Sequence, residues 1–205
     1  MKDWILLLVG AILLTSCRNE KIENASAEKF ERSWNSDSAA LVLKLRTEIV
    51  LESPQSAEGL YCKSWLADQK GDLKKAIKTV DSLAIGYPGF EKGIYLRANL
   101  KAKLNDYPGA LSDFGRAIKK NPTFFEAFVN RGTLHFQNKH TDLALKDFQK
   151  ANQIKPNNKM VVFNIGNAFM LLGKPDEACK NWIAADSLGN ADAKILLVKY
   201  CYETP

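Results

Sequence analysis

A period of 34 residues constrains the fold of this chain more than any other feature. Small, alanine, bulky and proline positions recur at this spacing between residues 57 and 192, with no gap. The recurring columns are Ser64, Ala98, Gly132 and Gly166; Ala76, Ala110, Ala144 and Ala178; Val80, Phe114, Phe148 and Trp182; Leu83, Ala117, Ala151 and Ala185; and Pro88, Pro122, Pro156 and Asn190. A repeat of this length indicates stacked supersecondary units that share one continuous core.

The sequence of each 34-residue unit predicts two amphipathic helices. In residues 125–158 the apolar spacing favours helices over about 125–138 and 142–154. The small residues Gly132 and Ala144 allow the two helix axes to approach, and Phe148 fills the space that they leave. A single pair cannot bury both of its faces, so neighbouring pairs must stack.

This pattern resembles the tetratricopeptide repeat. The units are 57–90, 91–124, 125–158 and 159–192, which together cover 136 of the 205 residues. The resemblance implies an all-α fold: a right-handed α-α superhelix, or solenoid, of about four helix-turn-helix repeats with flanking capping helices. One departure lies in the column before the small residue, where the family usually has leucine and this chain has Lys63, Arg97, Arg131 and Ile165. That departure implies a more polar helix face.

The flanking segments predict caps for the two ends of the solenoid. Residues 37–56 favour an N-terminal capping helix that begins after Ser36 or Asp37 and ends before Pro54. Residues 191–202 favour a second helix, and the C-terminal cap that follows the last repeat is assigned to 193–205. Residues 17–36 are polar and predict a tether that becomes helical only near its end.

The N-terminus predicts export and lipidation. Eleven apolar residues follow a short charged start, and a helix of that length rises only about 16 Å against a hydrocarbon core of about 30 Å. The run ends in Leu14-Thr15-Ser16-Cys17, which resembles the lipobox of bacterial lipoproteins. The resemblance implies removal of residues 1–16, a lipid on Cys17, and anchoring in the bacterial envelope, at the outer membrane more than the inner. A plain secretory signal and a buried N-terminal helix are the alternatives.

The sequence contains no motif for catalysis, metal binding or a cofactor. His135 and His140 are five residues apart, which is the wrong spacing for one helix face, so they read as surface or half-buried residues. After Cys17, three cysteines remain; buried thiols are the default interpretation of Cys62, Cys179 and Cys201, and a bridge between the last two is an open alternative. A net charge of +6 is spread among 29 basic and 23 acidic residues, so a nucleic acid is not expected as partner.

The resemblance implies a protein-binding groove on the first helix of each repeat. Its usual contact positions hold aromatic, methionine and amide side chains that suit a peptide or helix segment. The predicted groove residues are Tyr61, Trp65, Tyr95, Asn99, Asn130, Thr133, Phe136, Phe163, Asn164, Asn167 and Met170. Tyr95 and Met160 stand where a clamp for a terminal carboxylate would need cations, which disfavours that mode.

Two functions fit these sequence features. The leading hypothesis is a non-enzymatic, lipid-anchored adaptor that holds a segment of another envelope protein in its groove, with no small-molecule substrate. The alternative is a structural subunit of a fixed outer-membrane, secretion or pilus assembly that uses its convex face or its caps. An exposed apolar patch on the C-terminal helix would favour the second.

Overall fold

A computed structural model describes residues 21–202, and within that range it contains helices and no strand. The expectation of an all-helical repeat fold is confirmed. In chain order the helices are α1 (21–34), α2 (Ala39–Glu52), α3 (Ala57–Gln69), α4 (Leu73–Gly86), α5 (Glu91–Lys103), α6 (Tyr107–Lys120), α7 (Phe125–Gln137), α8 (Thr141–Ile154), α9 (Lys159–Leu171), α10 (Pro175–Ser187) and α11 (Ala191–Leu197), followed by a π-helical turn over Val198–Tyr202.

The 34-residue period of the sequence is also the period of the helices. The first helix of each repeat begins at position 57, 91, 125 or 159, and the second begins at position 73, 107, 141 or 175. The chain divides into two compact units, one ending at Leu100 and the other beginning at Lys101. The boundary falls inside α5, so the units do not coincide with the sequence repeats.

The turn within each repeat depends on one left-handed residue. Gly71, Asn105, Lys139 and Gly173 lie at equivalent positions and have φ angles of 77°, 60°, 62° and 71°. In each turn the next amide donates to a carbonyl five residues earlier at 2.9–3.0 Å, which ends the first helix in a Schellman motif. Glycine adopts this conformation freely, whereas asparagine and lysine adopt it at some cost.

The close approach predicted for small residues is present in the second unit. A Cβ atom at Gly166 would lie 2.6 Å from Cδ1 and Nε1 of Trp182, and one at Gly132 would lie 2.9 Å from Cε1 of Phe148. Both aromatic rings are buried. The indole Nε1 of Trp182 also donates to Oδ1 of Asn167 at 2.9 Å, which fixes the ring between α9 and α10.

An ion pair with a buried carboxylate explains one residue of the polar column before the small residue, Arg131. Arg131 donates two hydrogen bonds to Asp147, at 2.8 and 2.7 Å, and the carboxylate side chain is only 7% exposed. The equivalent Asp113 in α6 accepts from Lys101 at 2.7 Å and from Arg116 at 3.2 Å. The predicted polar face is therefore in part a salt-bridged junction between the two helices of a repeat.

The N-terminal part of the structure differs from the sequence prediction. The tether predicted for 17–36 is wrong over 21–34, because α1 is a packed helix whose Phe30 is 1% exposed. The cap of α2 is neither Ser36 nor Asp37 but Ser38, whose Oγ accepts from the Leu41 amide at 3.4 Å. One more helical pair therefore precedes the first repeat. The signal peptide, the lipobox and Cys17 lie outside the described residues.

The C-terminal cap is held by a disulfide. Cys179 of α10 and Cys201 of the π-helical turn are bonded, with their Cα atoms 5.9 Å apart. The default interpretation of these two residues as buried thiols is wrong, and it holds only for Cys62, which is free and buried. Ala193 and Leu197 of α11 pack against Trp182 in the core of the fourth repeat. Across residues 21–202, none of the helices has the length and apolar character that crossing a membrane requires.

Candidate functional site: the first-helix faces of the repeats

The groove residues predicted within the first compact unit, which ends at Leu100, belong to the face of α3 and α5, here called the α3–α5 face. Tyr61, Trp65, Tyr95 and Asn99 all lie on these two helices. Tyr61 is 3% exposed, whereas the other three are partly exposed. The prediction that Tyr61 lines an open groove is therefore wrong, because another part of the same chain covers it.

The cover is α1. The ring centroid of Phe30 lies 5.0 Å from that of Tyr61 in an edge-to-face arrangement. The Trp34 ring lies 6.0 Å from Tyr61 and 5.9 Å from Tyr95, which belongs to the next repeat. Phe90, directly before α5, completes the cluster at 5.7 Å from Phe30. Such edge-to-face contacts between aromatic rings are favourable beyond their buried area.

Two cations extend this aromatic cluster. The Lys92 ammonium lies 5.2 Å from the Phe30 ring centroid and 5.0 Å from that of Trp34, and it forms an ion pair with Glu31. Arg46 of α2 stacks over Trp65, with its guanidinium carbon 4.2 Å from the ring centroid. In this structure α1 therefore places two aromatic rings and a carboxylate against the α3–α5 face.

Burial controls the chemistry of the two titratable groups beneath this cluster. Desolvation raises the pKa of the Tyr61 phenol far above its usual value, against the opposing effect of Arg46. Desolvation likewise raises the pKa of the Cys62 thiol to about 12. Both groups are neutral at physiological pH, so Cys62 is not an activated nucleophile.

The groove residues predicted within the second compact unit lie on the solvent-facing sides of α7 and α9, here called the α7–α9 faces. All of them are partly exposed: Asn130, Thr133, Phe136, Phe163, Asn164, Asn167 and Met170. Phe136 packs against the core of the third repeat, and Phe163 and Met170 pack against the C-terminal core. These side chains therefore have one side in the core and one side in solvent.

The polar side chains of these faces differ in which of their hydrogen-bonding groups remain available to a partner. Oδ1 of Asn167 accepts from Trp182, so its amide nitrogen is the group that remains for a partner. The Thr133 hydroxyl donates to the Val129 carbonyl at 2.9 Å. Met160, one turn before Asn164 on α9, is 50% exposed. Together, α9 presents amide and thioether groups on a surface that can contact a peptide.

The two histidines lie closer together than their sequence spacing suggests. The rings of His135, in α7, and His140, directly before α8, are 6.1 Å apart because the intervening turn reverses the chain. Burial lowers the pKa of His135, and its Nδ1 is buried without a hydrogen-bond partner among the described residues. Over residues 21–202, His, Cys, Asp and Glu do not form a group of three that could hold a metal ion.

Comparisons with known proteins agree with the helical architecture. Residues 95–159 match the family model for the tetratricopeptide repeat. The solved structure of MamA superposes with a TM-score of 0.63 at 20% identity, over 74% of this chain and 89% of that one. A tetratricopeptide-repeat protein of Thermus thermophilus gives 0.64 at 18% identity, over 80% and 90%. YrrB, described as a tetratricopeptide-repeat protein with an unusual peptide-binding site, gives 0.62 at 17% identity, over 85% and 86%.

Two curated proteins are similar over part of their length. The DnaJ protein P58IPK homolog of Arabidopsis thaliana is 28% identical over 148 residues, which are 72% of this chain and 29% of the relative. Anaphase-promoting complex subunit 3 of Schizosaccharomyces pombe is 22% identical over 149 residues, 73% of this chain and 21% of the relative. The chain thus spans less than a third of either relative. The repeat model thus matches 65 of the 205 residues, and the solved structures share the helical fold of this chain.

Proposed function

We propose that this protein is an adaptor of the bacterial cell envelope that binds a segment of another protein on the first-helix faces of its repeats. The observation that carries the proposal is the half-exposed character of the α7–α9 faces, which present aromatic, methionine and amide groups without burying them completely. Aromatic anchors dominate the binding energy of protein interfaces, and amides bond to a partner's backbone. The likeness to repeat proteins, including one with a peptide-binding site, supports a protein partner.

We further propose that the chain is exported and anchored by a lipid on Cys17. The sequence Leu14-Thr15-Ser16-Cys17 supports this, and so does the disulfide between Cys179 and Cys201, since disulfides persist in oxidising compartments and are rare in the cytosol. Two or three acyl chains hold a protein on a bilayer stably. Anchoring confines adaptor and client to one surface and raises their effective concentration.

The binding role is tested by capture from intact envelopes. Met160→Ala with Asn164→Ala removes one exposed and one partly exposed side chain of α9, and the matched control is Lys146→Ala with Lys150→Ala on the exposed side of α8. We expect a protein that co-purifies with the unaltered chain and with the control to be lost from the α9 variant. Retention of the same set of proteins by both variants would refute binding through α9.

The anchor is tested by replacing Cys17. Cys17→Ser removes the thiol that carries the lipid, so we expect the variant to lose fatty-acid labelling and to leave the membrane fraction. Equal membrane association of the two proteins, with no labelled acyl group on either, would refute the lipid anchor.

One observation favours a second candidate function, a structural subunit that docks through its C-terminal cap. Ile195, Val198 and Tyr202 are 65%, 48% and 67% exposed, and their spacing of three and four residues aligns them along one side. An apolar stripe of this kind is typical of a protein contact. Ile195→Ser with Val198→Ser is expected to release the protein from a stable assembly in sizing experiments if this role holds, whereas an unchanged elution volume would exclude it.

A further inference from the structure

Helix α1 contacts the first helices of two successive repeats. Phe30 and Trp34 both pack on Tyr61 of α3, and Trp34 also reaches Tyr95 of α5. These tyrosines stand at the same repeat position, 34 residues apart, and both are among the groove residues that the sequence predicts. Side chains of α1 therefore occupy the part of the α3–α5 face where a bound segment would lie.

One side of α1 packs against the rest of the first compact unit, including the end of α2. Ile22, Ser26, Phe30 and Trp34 are spaced by four residues and form one ridge of α1, of which Ser26 and Phe30 are buried. The Ser26 hydroxyl is 2.9 Å from that of Ser53, which lies directly after α2.

Electrostatic pairing adds a second element of recognition. Glu31 follows Phe30 and forms an ion pair with Lys92 of α5, whose side chain is only 14% exposed. The Lys92 ammonium also lies 5.2 Å from the Phe30 ring centroid and 5.0 Å from that of Trp34, so one cation of α5 contacts two aromatic rings and a carboxylate of α1.

We propose that the α3–α5 face is a binding site for an amphipathic helix with aromatic residues four positions apart and a carboxylate directly after the first, and that α1 occupies this site in cis. A partner helix with the same pattern binds by displacing α1. The inference rests on the proposed protein-binding role and adds the class of partner and the means by which access is regulated. A short isolated helix is marginally stable in water, so α1 loses its helical order when it is displaced.

The test uses a fluorescent peptide with the sequence of residues 21–36 and the full chain purified in detergent. Phe30→Ala with Trp34→Ala in the protein removes the rings that α1 places on the face. We expect the peptide to bind this variant at least about tenfold more tightly than the unaltered chain, because a tethered helix competes at an effective concentration of about millimolar. The control peptide carries the same two alanines and is expected not to bind.

A charge exchange makes the test independent of how the double variant folds. In the otherwise unaltered chain, Lys92→Glu is expected to speed hydrogen exchange of amides 21–34, and adding Glu31→Lys is expected to restore their protection. Unchanged exchange of these amides in Lys92→Glu would overturn the proposal. So would equal peptide affinity for the unaltered chain and the Phe30→Ala, Trp34→Ala variant, or no binding to that variant when its α3–α5 amides remain protected.

Failure here is distinguishable from failure of the proposed adaptor role. The adaptor role is tested at Met160 and Asn164 on α9, in the other compact unit, by capture from envelopes. The peptide and exchange measurements involve only residues up to Leu100. Loss of capture in the α9 variant with no peptide binding would leave the adaptor role standing and refute only the site for an α1-like helix.

Discussion

Two glycine substitutions in helix interiors should change stability in opposite directions. Gly115 lies within α6 and Gly166 lies within α9, and at both positions alanine has the higher helix propensity by about 0.8–1 kcal/mol. Propensity alone therefore predicts that both substitutions stabilise the fold. The surroundings of the added methyl group separate the two cases.

At Gly166 the added Cβ meets atoms that cannot move. It would lie 2.6 Å from Cδ1 and Nε1 of Trp182 and 3.2 Å from the carbonyl oxygen of Ala178, and Trp182 is 1% exposed. Overpacking a core of this kind costs about 3 kcal/mol, the upper part of its usual range, so Gly166→Ala should lose about 2 kcal/mol net. At Gly115 the nearest atom is a guanidinium nitrogen of Arg131 at 3.7 Å, an ordinary contact, so Gly115→Ala should gain about 1 kcal/mol.

Urea unfolding followed by far-UV circular dichroism measures both variants against the unaltered chain. The two unfolding free energies should differ by about 3 kcal/mol, and each kcal/mol should shift the melting temperature by about 2–4 °C. A Gly166→Ala protein as stable as the parent, or as the Gly115→Ala protein, would refute the reasoning. It would mean that α9 and α10 do not approach as closely as the packing of Gly166 against Trp182 requires.

Four further predictions follow from single features. Lys139→Gly should raise the unfolding free energy by about 0.5–1 kcal/mol in urea, because Lys139 has a φ of 62°; no gain would contradict the left-handed turn. Cys62 should resist alkylation in the native protein and react after unfolding, since it is buried and its pKa is raised to about 12; native labelling in intact-mass spectra would contradict this. Opening the bond between Cys179 and Cys201, which closes a loop over a sequence separation of 22, should cost about 3 kcal/mol and speed hydrogen exchange in 191–202; unchanged exchange in the reduced protein would contradict it. Burial lowers the pKa of His135, so the unfolded chain binds more protons near pH 6.5, and stability should fall as the pH drops through that value; His135→Gln should weaken this dependence, and an identical pH profile for the variant would contradict the shift.

The repeat architecture was predictable because its determinants are local and recur. Small residues such as Gly132 and Gly166 face bulky ones such as Phe148 and Trp182 at fixed offsets, so the sequence period and the helix period coincide. The left-handed turn positions repeat with the same spacing even where Lys139 replaces glycine. The left-handed conformation of Lys139 could not be predicted from the sequence, because lysine gives no signal for a positive φ angle.

The parts that sequence reasoning missed depend on contacts between distant residues. Helix α1 contains few apolar residues, but Ile22, Phe30 and Trp34 are separated by eight and four positions, a spacing that indicates one helical face. Its burial of Tyr61 depends on three-dimensional packing that no repeat column reports. The same holds for the disulfide, because cysteine spacing alone does not determine pairing.

The proposed adaptor role requires that the first-helix faces of the repeats bind another protein. In cells, a photoreactive amino acid at position 164 on α9 forms a cross-link to any protein that contacts this face. The same amino acid at position 146 on α8 is the control. Position 146 is exposed and position 164 is partly exposed, so neither replacement intrudes on the core. We predict that illumination cross-links position 164 to one discrete protein and leaves position 146 without it. The same product from both positions, or none from position 164, would contradict the claim.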